Sequence, residues 1–424
     1  MSDVGLSGAN MVRDRRLSGA DFIRDTRLSG ADFIRACACL MVVAHHVAQR
    51  VSPEVLGDWA PVSMFVQMFA FGVAAFFVLS GYLLSRPFWR ALDEGRAMPN
   101  LGNYALRRAA RIVPGFWLAL TVSFILSITV LGVALDGTLV LRFVAGLAFV
   151  ADFHWLTWFP VEFNAPLWSI GCEVTSYALM PLCLWLLFQR QVLRGWAGRL
   201  VFVGMIALVV WLQSVLVQFP PESAGRGWEH GLVGGAKWWW PNYNPVGFFA
   251  VFAVGVLAAG VQVRLGALRS AWFDGLALAG LGLAVWSLAI SYPVADAYGL
   301  AGIPYGFPLF PIGVGLFLVA MPSAKLLTRL TENGPVAYVA KVSFGVYVWH
   351  YLLMEVVRVL WNPAYVYWGM RDVGQWAIIS LAVVALAFAI ATLSYRWVEE
   401  PAMRWARRLE GKREAAPTLS PAAG

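Results

Sequence analysis

The chain has 424 residues, of which 60% are apolar and 13% charged. An ordinary soluble domain is about 45–50% apolar and about 25% charged, so a soluble globular protein is excluded. Aromatic residues at 14% exclude a disordered chain, and the net charge of +8 does not call for nucleic acid, because membrane topology accounts for it.

The first 32 residues hold an imperfect 11-residue repeat, LSGANMVRDRR, LSGADFIRDTR and LSGADFIRACA, the last running into the first apolar stretch. No apolar run precedes Ala36 and no small-residue cleavage site follows it, so the segment reads as a cytoplasmic leader and not as a signal peptide. Beyond it the sequence predicts an all-α polytopic membrane helix bundle with about ten transmembrane helices. Windows approaching the ~20 apolar residues a span needs fall near 33–51, 62–85, 112–133, 166–188, 199–218, 245–263, 273–292, 303–321, 341–361 and 374–397. An eleventh stretch, 138–153, is short and carries Arg142 and Asp152. If it does not cross, 26 of the 32 basic residues share one side, leaving Arg50, Arg142, Arg226, Lys237, Arg358 and Arg371 on the other. Crossing would force the basic 189–199 loop outside and invert every later loop. The positive-inside rule therefore predicts cytoplasmic N and C termini, with 138–153 interfacial or re-entrant. The expected organisation is a leader at 1–32, a membrane domain at 33–408 and a disordered cytoplasmic tail at 409–424. Arginine supplies 28 of the 32 basic residues, a bias that suggests a GC-rich bacterial genome and hence a multi-pass protein of a bacterial plasma membrane.

A titratable group at bilayer depth costs several kcal/mol unless it is paired or hydrated, which makes each one a functional candidate. In the first window Arg35 sits at the cytoplasmic end, and His45 and His46 lie about 15–17 Å further along. Eleven residues make about three turns, so Arg35 and His46 share a face while His45 points away, which favours His46 for chemistry over a histidine merely satisfied by a carbonyl. In the second, Ser80-Gly81 permits close helix approach. Ahead of the third, Arg107, Arg108 and Arg111 form a cluster that either snorkels to lipid phosphate or, with Arg35 at the same level, binds a phosphorylated, nucleotide-like ligand. In the fourth, Ser169, Glu173 and Tyr177 recur at i, i+4 and i+8, and Glu173, ~10 Å below the outer boundary, calls for a histidine or arginine partner on another helix. The outer segment RGWEHGLVGGAKWWWPNYNP, 226–245, reads as an interfacial aromatic belt or a stacking platform for sugar rings. In the ninth window Ser343, Tyr347 and His350 fall at i, i+4 and i+7, bringing His350 into the middle third of the bilayer. Cys37, Cys39, Cys172 and Cys183 all lie in apolar segments and read as small hydrophobes, so neither a disulfide nor a metal site is assigned.

These elements, in this order, resemble acyltransferase family 3, membrane proteins that transfer acyl groups, most often acetyl, to hydroxyls of extracytoplasmic glycans and related compounds. The likeness covers roughly residues 28–408 and rests on Arg35 with His46 after a ten-residue gap, FFVLSGYLL at 76–84, RRAARIVPGFW at 107–117, PLWSIGCEVTSY at 166–177, SFGVYVWH at 343–350 and SYRWVEEP at 394–401. By resemblance the Arg-x10-His pair is Arg35 and His46, the basic element is Arg108 and Arg111, and the acidic position is Glu173. Family members often carry a second acid beside that position, where this chain has Val174. The late Glu-x-Pro falls on Glu399, with Glu400 intruding.

The resemblance implies a membrane O-acetyltransferase drawing on cytoplasmic acetyl-CoA, or another acyl-CoA, with a glycan or glycolipid as acceptor and no metal. Arg35, Arg108 and Arg111 are then expected to hold the donor's phosphates, its pantetheine arm reaching ~15–20 Å inward, about half the hydrocarbon core. His46 is expected as general base or acyl carrier, with Glu173 orienting it and His350 and Tyr347 orienting the thioester or stabilising the oxyanion. Some relatives carry an extracytoplasmic SGNH hydrolase domain, and this chain ends at Gly424. Transfer is therefore expected to be completed by the membrane domain or by a separate acceptor-carrying or export partner. The alternative is a transporter or translocator of a lipid-linked sugar, in which the same polar residues form a path.

Overall fold

The computed structural model describes residues 30–266, 270–292 and 302–415; most of the leader repeat and residues 416–424 lie outside the described residues. In chain order the helices are α1 (Ala31–Ala48), α2 (Gly72–Asp93), α3 (Leu101–Thr129), the short α4 (Gly137–Leu147), α5 (Trp168–Phe188), α6 (Trp196–Leu216), α7 (Pro245–Leu265), α8 (Ala271–Ser291), the short α9 (Leu309–Ala320), α10 (Gly334–Leu360), α11 (Val373–Ser394) and α12 (Glu400–Ala415). Among the described residues nine helical stretches are long and apolar enough to cross a membrane, with α11 and α12 counted as one through the π-helix Tyr395–Glu399. Side-chain caps start many of them: Asn100, Asn244, Asn333 and Asp372 each accept from backbone N–H groups of the first turn, satisfying donors that have no partner inside the helix.

Two stretches depart from a simple span. The eighth expected window, 303–321, yields only the 12 residues of α9 followed by a short 3-10 turn. That helix rises about 18 Å against a core of about 30 Å. Pro304, Gly306 and Pro308 keep the preceding stretch out of helix. The irregular backbone is tolerated at this depth because protein surrounds it: Tyr305 is buried against Phe71, Tyr243 and Phe248. The 138–153 stretch forms α4, which at 11 residues is too short to cross, in keeping with an interfacial placement. Its Arg142 turns inward, donating to the Phe159 carbonyl at 2.7 Å and pairing with Glu162. At the other end, α12 runs on to Ala415, so residues 409–415 are helical where a disordered tail is expected.

The bundle closes around the crossing of α2 and α7. A Cβ at Gly255 would land on the Val78 carbonyl, and one at Gly81 on the Phe252 carbonyl, so glycine at both positions lets the two backbones touch. Phe77, Val78, Phe248 and Phe252 fill the core around that crossing. On the flank α10 lies between α1 and α11, with Gly345 seated against Ala391. The six basic residues on the poorer side are held internally. Arg50 and Arg358 share Glu355, Arg142 pairs with Glu162, Arg371 with Glu54, Lys237 donates to the Ala224 carbonyl, and Arg226 lies over Trp238.

Candidate functional site

The amino-terminal parts of α1, α3 and α5 meet the middle of α2 and α10 around a cavity of about 110 Å³. Arg35, Arg108 and Arg111 form its mouth, Ser80, Glu173 and Tyr177 its polar wall, and Ser169, Ser343 and Tyr347 its far end. A water needs ~10–15 Å³, so the volume is large enough for several. The three arginines are not equivalent. Arg35 pairs with Asp32 at 3.2 Å and Arg111 with the buried Glu399 at 3.3 Å, whereas Arg108 makes no ion pair among the described residues. The mouth thus carries uncompensated positive charge, the condition for holding a phosphate group.

Glu399 reaches Arg111 from the π-helix that joins α11 to α12. Extra backbone of this kind inside a helix re-aims side chains and concentrates at functional sites. Deeper in, the i, i+4, i+8 stripe of α5 faces the cavity as one surface. Glu173 accepts from the Ser80 hydroxyl at 2.8 Å and from the Tyr177 hydroxyl, and Ser169 lies 2.6 Å from the Tyr347 hydroxyl, which itself donates to the Pro166 carbonyl at 3.0 Å.

Tyr347 closes the cavity, and beyond it stand the histidines. His350, wholly buried, has Nδ1 2.9 and 2.8 Å from the carbonyls of Val346 and Tyr347 and Nε2 3.0 Å from Nδ1 of His46. Two carbonyl acceptors require a proton on His350 Nδ1, so in neutral His350 Nε2 is an acceptor and His46 Nδ1 must donate to it. His46 is left with a lone pair on Nε2. That is the form of a general base, and the imidazolium it would become is stabilised by a neighbour that already accepts from it. His45 is occupied otherwise, with Nδ1 2.5 Å from the Gln67 carbonyl and Nε2 3.1 Å from the Gln49 amide.

Several expectations change in this light. Glu173 does not orient His46: its partners are two hydroxyls on the cavity wall, and His46 is held by His350 instead. The physical reason is depth, since Glu173 faces the arginine-lined cavity whereas Tyr347 and Phe76 stand between that cavity and the histidines. His350 and Tyr347 have their polar hydrogens committed to backbone carbonyls, so neither is poised as an oxyanion donor. Arg35 lines the cavity as its shared face with His46 implies, but His46 lies one aromatic layer further on. Of the 226–245 aromatics, Tyr243 is buried with half-buried Trp239 and Trp168 packed against it, and Trp238 stays exposed.

Ser80 was legible only as a packing residue, and Asp152 was not a candidate. Asp152 precedes α5, is wholly buried, accepts from the Thr175 hydroxyl at 3.0 Å, and is pushed up to about 6 by burial, against which the Thr175 hydrogen bond acts. No signal at sequence level separates it from an ordinary loop aspartate. Among the described residues no group of three or more His, Cys, Asp or Glu side chains is disposed to hold a metal.

Compared with known families, residues 28–396 match the model of the acyltransferase domain of acyltransferase family 3. The chain is 25% identical over 387 residues to the acyltransferase MdmB of Streptomyces mycarofaciens, covering 87% of this chain and 89% of that one. It is 25% identical over 370 residues to nodulation protein 10 of Rhizobium leguminosarum bv. viciae, covering 81% and 84%. With the peptidoglycan O-acetyltransferase OatA of Listeria monocytogenes it shares 23% over 388 residues, covering 87% of this chain and 54% of that one. No solved structure matches the chain significantly.

Proposed function

The chain belongs to acyltransferase family 3 and is a multi-pass membrane acyltransferase, and we propose that it carries an acyl group, acetyl first of all, from cytoplasmic acyl-CoA to a hydroxyl of an extracytoplasmic glycan or glycolipid. The observation that carries the reading is the order of groups along one axis: an arginine mouth with surplus charge, a cavity leading inward, and a histidine with a free basic nitrogen beyond its end. The peptidoglycan O-acetyltransferase among its relatives supports a glycan as acceptor.

In this reading Arg108, with Arg35 and Arg111 released in part from their carboxylates, holds the donor's phosphates. The pantetheine arm lies along Glu173 and Ser80, and the Tyr347 and Phe76 rings that separate the cavity from the histidines swing aside to let the thioester carbonyl reach His46. From Arg35 to His46 is eleven residues of α1, about 16 Å, which the arm can cover. His46 Nε2 takes the acceptor's proton as its oxygen attacks the carbonyl. The C–S bond breaks, and the same proton passes from His46 to the departing thiolate, so that ester and free CoA leave with no net change in the enzyme. His350 acts through His46, fixing its tautomer.

The test is CoA release from acetyl-CoA by purified protein in detergent, with envelope extract as acceptor. His46→Ala is expected to lower turnover 10²-fold or more, the usual scale for loss of a general base, while Arg108→Ala raises KM for acetyl-CoA with a smaller effect on kcat. Near wild-type turnover in a properly folded His46→Ala protein overturns the assignment.

A further inference from the structure

At the end of the bundle opposite the arginine mouth lies a second cavity, about 140 Å³, lined by Gln49, Arg50, Tyr351, Glu355, Arg358, Val366 and Tyr367. We propose that this cavity is the acceptor subsite and that it takes a neutral sugar ring, presenting one hydroxyl to His46; the proposal rests on the acyl-transfer reading above.

Position is the first argument. Gln49, which caps α1, follows His46 by three residues, about one turn and 5 Å along the same face. Tyr351 packs edge-on to the His46 ring with centroids 5.0 Å apart. The histidine therefore has the donor cavity on one side of it and this one on the other. The chemistry of the lining is the second. Arg50 is spent internally, on Glu355 at 2.9 Å, on the Tyr365 carbonyl at 2.9 Å and against the Tyr351 and Tyr365 rings. Arg358 shares the same carboxylate at 2.6 Å. What remains for a guest is the lone pairs of the Glu355 carboxylate and the Gln49 amide oxygen, acceptors that suit the hydroxyls of a neutral ligand. At the rim Tyr367 stacks on Trp368 with centroids 4.9 Å apart, and both are exposed, offering the flat apolar surface that a sugar ring's C–H face covers. The arginine mouth, where Arg108 makes no ion pair among the described residues, is a different kind of site. Backbone bonds hold the wall in place: Trp368 N donates to the Gln49 carbonyl at 2.7 Å and Met370 N to the Arg50 carbonyl at 3.0 Å.

The experiment uses the full chain in detergent, with methyl β-D-N-acetylglucosaminide as the probe acceptor and methyl β-D-glucuronide as its charged counterpart, and reads CoA release. The neutral glycoside is expected to accelerate release in the wild type. Glu355→Gln and Tyr367→Ala, the second lying at the exposed rim, are expected to raise KM for the glycoside tenfold or more while KM for acetyl-CoA stays within twofold. Unchanged KM for the glycoside in both variants, acceleration by the glucuronide alone, or no acceleration by either probe in a wild type that still cleaves acetyl-CoA overturns the subsite. Failure of the wild type to cleave acetyl-CoA at all, under any acceptor, instead overturns the acyl-transfer reading on which it rests.

Discussion

A histidine pair joined nitrogen to nitrogen at 3.0 Å has a sense of direction only if something fixes the first proton, and here the backbone does so. The Val346 and Tyr347 carbonyls hold a hydrogen on His350 Nδ1, which forces each further tautomer outward to His46. Replacing His350 by Asn can keep a donor at the Nδ1 position, but its amide oxygen is too short to stand where Nε2 accepts from His46. His350→Asn is expected to lower kcat some ten- to a hundredfold with KM for acetyl-CoA unchanged, and to shift the pH–rate profile, because the base is no longer held in one tautomer. An unaltered profile in steady-state assays from pH 5.5 to 9 would remove His350 from the relay. Asp152 offers an independent residue-scale prediction. Burial raises its folded-state value to about 6, above the ordinary 3.8, so the folded chain binds the proton more tightly than the unfolded one. The ionised form therefore costs stability above pH 6, and that cost is relieved as pH falls from 6 toward 4. Asp152→Asn, which preserves the Thr175 hydrogen bond, is expected to raise the melting temperature in detergent at pH 8 by the equivalent of about 3 kcal/mol and to lose its advantage near pH 4. A variant equal to wild type at pH 8 would show that water reaches the carboxylate. Both residues also mark what sequence reading can and cannot find. The expense of burying charge singles out His46, His350 and Glu173, but it does not say who meets whom. His46 and His350 are 304 positions apart, and Glu173 is satisfied by hydroxyls from Ser80 and Tyr177, which carry no charge to betray them.

Elements were more legible than partners, because length and hydropathy are local properties and pairing is not. The windows near 33–51, 166–188 and 374–397 became α1, α5 and α11 within a few residues. The stretch at 303–321 passed the same test of composition yet became the 12-residue α9, since apolarity does not register what Pro304, Gly306 and Pro308 do to the backbone. Ser80-Gly81 was readable as a contact, while its counterpart Gly255 was one small residue among many. That crossing makes a sharp prediction. Gly255→Ala places a methyl on the Val78 carbonyl and is expected to destabilise the protein by about 1–3 kcal/mol, as overpacking does. Gly275→Ala on α8, where a Cβ meets nothing within 4 Å, is expected to be neutral or stabilising through helix propensity. Thermal unfolding of the two variants side by side decides the matter, and equal melting temperatures would mean that α2 and α7 separate at no cost.

At the scale of the whole molecule the two ends differ in how their positive charge is held, and sidedness follows from that difference. The poorer end ties its basic residues to carboxylates, carbonyls and an indole face, whereas the richer end leaves Arg108 without a carboxylate among the described residues, at the mouth of the cavity. If the richer end is cytoplasmic, as the positive-inside rule requires, acetyl-CoA, which does not cross bilayers, has access from that side alone. Inside-out membrane vesicles are therefore expected to release CoA thiol into the medium when given acetyl-CoA, and right-side-out vesicles only after permeabilisation. Raising the ionic strength from about 0.05 to 0.5 M shrinks the Debye length to roughly a third, and KM for acetyl-CoA is expected to rise with it in the wild type and less so in Arg108→Ala. Equal release from both vesicle orientations would place the donor site elsewhere. Movement of an intact sugar in sealed vesicles, with no thiol released in detergent, would convert the same buried polar residues from a relay for one proton into a path for a translocated solute.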